Sequence, residues 1–274
     1  MPDLNALAPF SVRLADAVAK TGAPLCVGLD PDPDRLPPPF AASGAAGAAE
    51  FCVAITESTQ HVAAAYKPNL AFFEAYGSDG ARALSAVCDA VRQSGRLLVL
   101  DGKRGDIGNT GRRYASALYD QLGGDASTVA PYMGADSVAP FLEYAGRCAF
   151  VLVATSNPGA ADLQHLDADG LPLYRHAARL AVDAADGRPG EAGFVVGATR
   201  PALLANLREA HPDVPFLVPG VGAQGASADE TLDANAGGPI LINSGRGILY
   251  ASSGDDFAEA ARDAAERLAE TLGR

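Results

Sequence analysis

The sequence contains no tryptophan, two methionines and only four cysteines in 274 residues. None of the cysteines belongs to a Cys-x-x-Cys pair, which excludes the closely spaced cysteines of a disulfide framework or a zinc module. Isolated thiols in apolar or helical segments are typical of buried free cysteines in a reducing compartment. We therefore expect a cytoplasmic protein with four buried free thiols, which are Cys26, Cys52, Cys88 and Cys148.

Basic blocks and long apolar runs are absent as well. The 21 Lys and Arg residues are outnumbered by 33 Asp and Glu residues, and the formal net charge is −12. Nucleic acid and anionic membranes are therefore poor partners. No apolar run approaches the roughly 18 residues that a membrane-spanning helix needs. Residues 1–20 also lack the basic start and long apolar core of a signal peptide, so we expect no membrane partner.

The motifs of three common enzyme classes are missing too. No Gly-x-Gly-x-x-Gly follows the first apolar strand, which removes the main support for dinucleotide binding. No Gly-x-Ser-x-Gly elbow supplies a nucleophile for acyl transfer, and no His-Glu-x-x-His or Cys/His cluster predicts a metal site. Asp101 and Asp106 could hold Mg²⁺, but Lys103 between them would repel it. We therefore predict no bound metal.

What the chain does contain is a regular alternation of short apolar segments and helix-compatible segments. Such alternation predicts a parallel sheet, and eight repeats favour a closed (β/α)₈ TIM barrel over an open doubly wound sheet. We predict one α/β domain over residues 1–274. The predicted strands are 24–30, 62–66, 96–101, 127–130, 148–154, 194–196, 215–218 and 239–243. The predicted helices are 5–20, 44–60, 72–77, 81–94, 111–122, 173–186, 201–210 and 255–272.

The most informative stretch is 97–110, where four apolar residues lead directly into charged ones. An apolar run bounded in this way is typical of a buried parallel strand. Side chains two apart on an extended chain point the same way, so Asp101 and Lys103 share one side, with Asp106 following two glycines. A solvated salt-bridged loop is the alternative. Charges that follow a buried strand without a spacer favour a functional cluster.

Polar residues also follow other predicted strands, at the point where each strand ends. On a barrel of parallel strands these ends meet at one mouth, where active sites are built. We therefore expect one shared site, built from Asp30, Lys67, Asp101, Lys103, Asp106, Ser156, Gln224 and Arg246.

The ends of the last two predicted strands are rich in glycine. Three glycines lie within residues 220–225, and Gly245 and Gly247 flank Arg246. In such barrels, the loops after strands seven and eight form phosphate sites from free backbone N–H groups. Arg246 adds a planar guanidinium suited to a phosphate dianion. Tight turns alone would explain the glycines but not the arginine, so we predict a phosphate site.

Taken together, these residues resemble the orotidine 5′-phosphate decarboxylase family, in particular its longer (type 2) bacterial branch. The resemblance covers nearly the whole chain, from Asp30 to Tyr250. It implies decarboxylation of orotidine 5′-monophosphate to UMP and CO₂, the last step of de novo pyrimidine synthesis, with no cofactor and no metal. The matching motifs are Lys67-Pro68-Asn69, Asp101-x-Lys103-x-x-Asp106-Ile107, Thr155-Ser156-Asn157-Pro158-Gly159 and Asn243-Ser244-Gly245-Arg246-Gly247-Ile248.

The resemblance implies a catalytic role for four charged residues. Lys103 would donate the proton to C6 of the pyrimidine. In the family the last aspartate is delivered from the partner subunit. The resemblance therefore implies a homodimer in which Asp106, with Ile107 and Thr110, completes the neighbouring active site. The family's charged tetrad matches Lys67, Asp101, Lys103 and Asp106.

Substrate-binding positions are implied in the same way. Asp30 and Lys67 match positions that bind the ribose hydroxyls, and Ser156 matches the serine that meets the pyrimidine edge. Pro219 matches the lining of the base pocket. No residue between 157 and 192 is assigned by the resemblance. The phosphate ligands match Gln224, Arg246 and the backbone at Gly245.

Two other functions stay open at this point. A metal-dependent sugar-phosphate aldolase or decarboxylase on the same barrel would share the Asp-x-Lys-x-x-Asp motif and the phosphate loops, but it would need Mg²⁺. A barrel without catalytic activity that only senses a nucleotide phosphate would keep Arg246 and the glycines. Such a sensor would have no need of Lys67, Asp101, Lys103 and Asp106 together.

Overall fold

The computed structural model describes residues 7–221 and 227–274, and its centre is a closed barrel of eight parallel strands. Each strand pairs with its neighbours along the chain, and the last strand pairs with the first. The predicted (β/α)₈ TIM barrel is therefore confirmed. The strands are β1 (Leu25–Leu29), β2 (Ala65–Pro68), β3 (Leu97–Arg104), β4 (Ala126–Val129), β5 (Cys148–Ala154), β6 (Glu191–Val196), β7 (Phe216–Pro219) and β8 (Ile240–Ser244).

Helices surround the barrel and connect its strands. They are α1 (Phe10–Thr21), α2 (Pro38–Ala41), α3 (Gly44–Thr59), α4 (Leu70–Glu74), α5 (Gly77–Gln93), α6 (Gly108–Ser116), α7 (Ala135–Val138), α8 (Leu173–Ala185), α9 (Pro201–Ala210), α10 (Ala228–Asn235), α11 (Arg246–Leu249) and α12 (Phe257–Leu272). A π-helical turn, Ala117–Gln121, extends α6, and 3₁₀ turns cover Ala139–Leu142 and Pro158–Asp162. Across residues 7–221 and 227–274, no helix has both the length and the apolar composition needed to cross a bilayer.

Three predicted strands are wrong by three residues at one end. The second strand begins at Ala65 rather than at residue 62, because the N–H groups of Val62 and Ala63 bond back to the carbonyl of Thr59 and prolong the end of α3. The third strand continues beyond residue 101 to Arg104, with a register shift between Leu100 and Arg104. The sixth strand begins at Glu191 rather than at residue 194, since residues 191–193 pair with residues 148–150 of β5. The observed ends of β2 at Pro68 and of β3 at Arg104 place Lys67 and Lys103 in the barrel strands rather than in the loops after them.

The short helices α2, α7 and α11 and the two 3₁₀ turns were not predicted from the sequence, and neither were two further elements. One is α10, which begins after the cap Ser227, whose Oγ accepts a hydrogen bond from the backbone N–H of Glu230. The other is a short antiparallel hairpin formed by Asp167–Ala168 and Leu171–Pro172. Neither has enough apolar periodicity to be recognised, because α10 is short and polar and the hairpin is mostly exposed.

The apolar core has two layers, one between the barrel and the helices and one inside the barrel. The inner layer includes Cys26, Phe150 and Leu241, and Phe10 of α1 packs edge-on against Phe150 with ring centroids 5.7 Å apart. Helix α1 therefore covers the N-terminal end of the barrel. All four cysteines are buried and free, as predicted. Burial raises the pKa of Cys26 and of Cys88 to about 12.

Arg208 of α9 is a buried arginine that ties together the elements around β7 and β8. Its guanidinium lies 3.7 Å from the centroid of the Phe216 ring, and burial lowers its pKa to about 10. It donates hydrogen bonds to four backbone carbonyls and one carboxamide, so that its donors are used despite the burial. The acceptors are the carbonyl oxygens of His211, Pro212, Val214 and Pro239 and Oδ1 of Asn235.

We expect Arg208→Lys to lower the free energy of unfolding by about 3 kcal/mol, because lysine cannot reach all these acceptors and unsatisfied buried carbonyls cost about 1–3 kcal/mol each. Urea unfolding followed by circular dichroism measures the change. The control is Arg262→Lys on the exposed face of α12, for which a change within about 0.5 kcal/mol is expected. Equal shifts in the two variants would contradict the role of Arg208.

Candidate active site

Most of the strand-end residues predicted from the sequence lie at the C-terminal end of the barrel, and three of them, Lys67, Asp101 and Lys103, are in contact. Each of them lies at the end of a strand or directly after it, and parallel strands present these ends on one side. Gln224 lies outside the described residues. The others on this side are Asp30 after β1, Lys67 in β2, Asp101 and Lys103 in β3, Ser156 after β5, Pro219 in β7, and Gly245 and Arg246 after β8.

Asp101 lies between two lysines. Lys67 Nζ is 2.6 Å from Oδ2 of Asp101, and Lys103 Nζ is 2.6 Å from Oδ1. The side chains of Lys67 and Asp101 are 5% and 9% exposed, whereas the side chain of Lys103 is 52% exposed. The array therefore has a buried ion pair as its base and an accessible ammonium group at its outer end.

The pKa values of the buried pair are shifted toward the charged forms. Burial favours neutral Asp101, but the charges of Lys67 and Lys103 outweigh it and hold the pKa of Asp101 well below its ordinary value. Burial likewise opposes the charge of Lys67, but Asp101 and then Asp30 raise the pKa of Lys67 above its ordinary value. At neutral pH the buried pair therefore consists of an ionised Asp101 carboxylate and a protonated Lys67 ammonium group.

Thr128 of β4 connects the two ends of this motif and was not identified from the sequence. Its hydroxyl donates to Oδ1 of Asp101 at 2.9 Å and accepts from the backbone N–H of Lys103 at 2.9 Å. Lys103 has a φ of +46°, a left-handed conformation that costs a non-glycine residue roughly 1 kcal/mol or more. The bond to Thr128 holds Lys103 in that conformation. The available signal was a pair of hydroxyl residues, Ser127 and Thr128, in an otherwise apolar strand.

The structure does not bring Asp106 into this array within one chain. Oδ1 of Asp106 accepts from the N–H of Ile107 at 2.8 Å, and no ion pair joins Asp106 to either lysine in the part of the chain that the structure describes. Ile107 and Thr110 are exposed. These three residues therefore lie on the surface beside the site.

Asp30, directly after β1, and Asn243, in the neighbouring strand β8, each have a buried oxygen atom. Among the described residues, neither Oδ1 atom has a hydrogen-bond partner. Each side chain lies against a glycine: a Cβ at Gly28 would lie 3.2 Å from Oδ1 of Asn243, and a Cβ at Gly245 would lie 3.5 Å from Oδ2 of Asp30. A buried acceptor without a donor costs about 1–3 kcal/mol. This part of the site therefore suits a ligand that supplies hydroxyl donors.

The predicted phosphate region lies after β7 and β8. Gly220 has a φ of +106°, a conformation that ordinary residues rarely adopt, so the chain can turn sharply at the end of β7. Exposed Arg246 begins α11, next to Gly245. Because Gly245 also adjoins Asp30, the arginine lies on the same side of the barrel as the charged array. Gly247 follows Arg246 within α11. Gly222, Gln224 and Gly225 lie outside the described residues.

Comparison with known proteins gives the same family for nearly the whole chain. The sequence profile described as the Orotidine 5'-phosphate decarboxylase / HUMPS family matches residues 23–264. A protein of Roseiflexus castenholzii named orotidine 5′-phosphate decarboxylase is 46% identical over 267 residues, which cover 96% of this chain and 97% of the relative. A protein of the same name from Delftia acidovorans is 46% identical over 270 residues, covering 96% and 97%.

Solved structures agree with the sequence comparison. The OMP decarboxylase of Leishmania donovani is 40% identical, with a TM-score of 0.82 and coverage of 97% of this chain and 99% of that one. The UMP synthase of the same organism is 42% identical with a TM-score of 0.85, and this chain spans 56% of its length. The names of these relatives favour a decarboxylase over a sugar-phosphate aldolase. The chain belongs to the orotidine 5′-phosphate decarboxylase family.

Proposed function

We propose that this chain decarboxylates orotidine 5′-monophosphate to UMP and CO₂ without a cofactor, and that Lys67, Asp101 and Lys103 carry the chemistry. The observation that supports this most directly is the array itself, a carboxylate held by two ammonium groups at the mouth of a barrel. Loss of CO₂ leaves an electron pair on C6 of the pyrimidine, and no electron sink is available in the ring. The protein must therefore stabilise that charge and then protonate the carbon.

Lys103 suits both tasks. Its ammonium group is half-exposed at the barrel mouth, and Asp101 fixes it at 2.6 Å. As the C6–carboxylate bond breaks, the cation stabilises the negative charge that develops on C6. The ammonium group then transfers a proton to C6, which gives UMP and a neutral lysine. Lys67 is much more deeply buried, so its role is to neutralise Asp101 rather than to donate the proton.

Asp101 would act on the carboxylate that leaves. Two negative charges about 4 Å apart repel each other by roughly 4 kcal/mol at an effective dielectric constant near 20. The two lysines keep the pKa of Asp101 well below its ordinary value, so its charge persists when the anionic substrate binds. The repulsion is relieved as CO₂ departs, which lowers the barrier relative to the bound ground state.

The other site residues would bind the parts of the substrate that do not react. Asp30, with its unsatisfied buried oxygen, and Lys67 would take the ribose hydroxyls. Ser156 and Pro219 would contact the base. Binding of the remote phosphate would supply the energy that places the orotate carboxylate against Asp101. The phosphate ligands would be Gln224, Arg246 and the backbone of Gly245.

We also infer a homodimer in which Asp106, Ile107 and Thr110 complete the partner's site. Large apolar side chains are exposed beside these residues: Ile107 is 49%, Tyr132 83% and Met133 51% exposed. The loops that carry them adjoin, since a Cβ at Gly105 would lie 2.6 Å from the carbonyl oxygen of Ala130. An exposed apolar patch of this kind supports a protein interface.

Three further expectations concern the domain bounds, the cellular location and the branch of the family. We infer one domain over residues 1–274, since one closed barrel accounts for β1 to β8. A cytoplasmic location is supported by the four buried free thiols. Membership in the longer, type 2 branch rests on the motifs alone.

Wild-type protein should consume orotidine 5′-monophosphate at an unchanged rate when EDTA is added, because Lys103 supplies the positive charge. Lys103→Ala should lower kcat about a thousandfold or more, since both the stabilising cation and the proton donor are lost. The decrease in substrate absorbance measures both rates, and calorimetry should detect UMP binding to the variant. Loss of wild-type activity in EDTA would favour the metal-dependent alternative. A near-normal kcat in Lys103→Ala would refute the proton-donor role.

Thr128→Val should lower kcat about tenfold to a hundredfold, since a hydrogen bond to a charged group contributes about 1.5–3 kcal/mol. The Kd of UMP should change less than threefold, because Thr128 acts on Asp101 and Lys103. Thr128→Ser should restore most of the rate. Ser127→Ala is the matched control, since Ser127 bonds to Tyr119 on the other face of β4. A loss in kcat as large for the control as for Thr128→Val would argue against positioning.

Co-expressed Asp106→Ala and Lys103→Ala subunits should recover about a quarter of wild-type activity, because half of the dimers are mixed and one of their two sites is intact. Co-expressed Lys67→Ala and Lys103→Ala subunits are the control. Lys67 and Lys103 would serve the same site, so no intact site forms and no recovery is expected. Mixed dimers of the first pair that stay inactive would count against the shared site.

A further inference from the structure

Gln164 lies in the segment 157–192, to which no function was assigned from the sequence. Its side chain nevertheless makes two hydrogen bonds to Thr155, directly after β5. The Oε1 atom of Gln164 accepts from the backbone N–H of Thr155 at 2.8 Å, and Nε2 donates to Oγ1 of Thr155 at 2.8 Å. One carboxamide thus holds both the main chain and the side chain of a single residue. Thr155 directly precedes Ser156, the residue expected to meet the pyrimidine.

The backbone of Gln164 is itself anchored on both sides. Its N–H donates to the carbonyl of Ala160 at 2.8 Å, and its carbonyl accepts from the N–H of Tyr174 at 3.0 Å. Ala160 is buried in the 3₁₀ turn after β5, and Tyr174 lies in the first turn of α8. Gln164 therefore connects the end of β5 to a helix of the barrel wall, although its neighbours in sequence are exposed.

The chain at Ser156 is also confined from the opposite side. A Cβ at Gly197, directly after β6, would lie 2.8 Å from the backbone nitrogen and 2.9 Å from the Cβ of Ser156. Real side chains do not tolerate such distances, so only glycine at position 197 lets the two loops approach. The hydroxyl of Thr155 also donates to Oδ1 of Asn157 at 2.6 Å, which ties down the residue after Ser156. The position of Ser156 is therefore constrained by the hydrogen bonds of Thr155 and by the close approach of Gly197.

We propose that Gln164 is a positioning residue for base recognition, which fixes Ser156 at the barrel mouth through its double hydrogen bond to Thr155. This rests on the proposed role of Ser156. The segment 157–172 then has a function, because its turn and hairpin carry Gln164 back to the strand end. This support should strengthen binding of the pyrimidine, because the hydroxyl of Ser156 is held in place before the substrate binds and less conformational entropy is lost.

The test compares two competitive inhibitors, UMP and ribose 5-phosphate, which share the phosphate and sugar but differ in the base. Gln164→Met keeps the length of the side chain and removes both hydrogen bonds. It should raise the Ki of UMP about tenfold, as expected for two ordinary hydrogen bonds, and leave the Ki of ribose 5-phosphate within twofold. Gln164→Glu can still accept from the N–H of Thr155, so its effect should be smaller. Leu166→Ala, an exposed position nearby, is the matched control and should change neither value.

The variant Ser156→Ala tests separately whether Ser156 recognises the base and whether Gln164 acts through Ser156. In a Ser156→Ala background, Gln164→Met should add less than a twofold further rise in the Ki of UMP, because its effect passes through Ser156. A full additional rise, or equal rises for both inhibitors in Gln164→Met, would overturn the positioning role. If Ser156→Ala itself leaves the ratio of the two Ki values unchanged, then the assignment of Ser156 is wrong and the role of Gln164 falls with it. Thermal unfolding of each variant shows that the compared proteins are folded.

Discussion

The rest of the site depends on one carboxylate, Asp101, which lies between the ammonium groups of Lys67 and Lys103. Removing a charged side chain such as Asp101 from water costs several kcal/mol, and here Lys67, Lys103 and Thr128 all donate to it. The result is a fixed negative charge that keeps its proton off at neutral pH, together with a lysine that is aimed outward. The low pKa of Asp101 comes from the two lysines, whose charges outweigh the burial of the carboxylate. Burial of Lys67 with Asp101 strengthens their attraction, because water screens exposed ion pairs much more.

The two ends of the barrel use similar ion clusters for different purposes. At the N-terminal end, Oδ1 of Asp125 accepts from Arg13 at 2.6 Å and from Arg147 at 2.9 Å, while its Oδ2 accepts from the N–H of Leu98. Helix α1 contributes Arg13 and covers this end, so the cluster closes the barrel. At the C-terminal end the matching arrangement stays open around Lys103. The fold therefore places a closed ion cluster at one end of the barrel and an accessible charged group at the other, where barrels of this type build their active sites.

Much of the fold followed from apolar periodicity, and its errors have local causes. The strand at 148–154 was predicted with its observed bounds, because a continuous apolar run ends in polar residues. The start of β2 was misplaced because Val62 and Ala63 are apolar yet complete the turn after α3. The charged motif was visible in the sequence because Asp101 and Lys103 are two residues apart. Thr128 and Gln164 were not visible, because each reaches its partner across a strand or a loop.

The sequence by itself determined the barrel, the order of its strands and the identity of the residues at their ends, because hydrophobic periodicity and strand-end chemistry are local properties of the chain. Only the tertiary structure decided which of those ends bond to one another. Hydrogen bonds form only at donor–acceptor distances of about 3 Å, so the register of neighbouring strands selects the partners. That register brings Thr128 to Lys103 and lets Gly197 lie against Ser156, and no spacing along the chain encodes either contact.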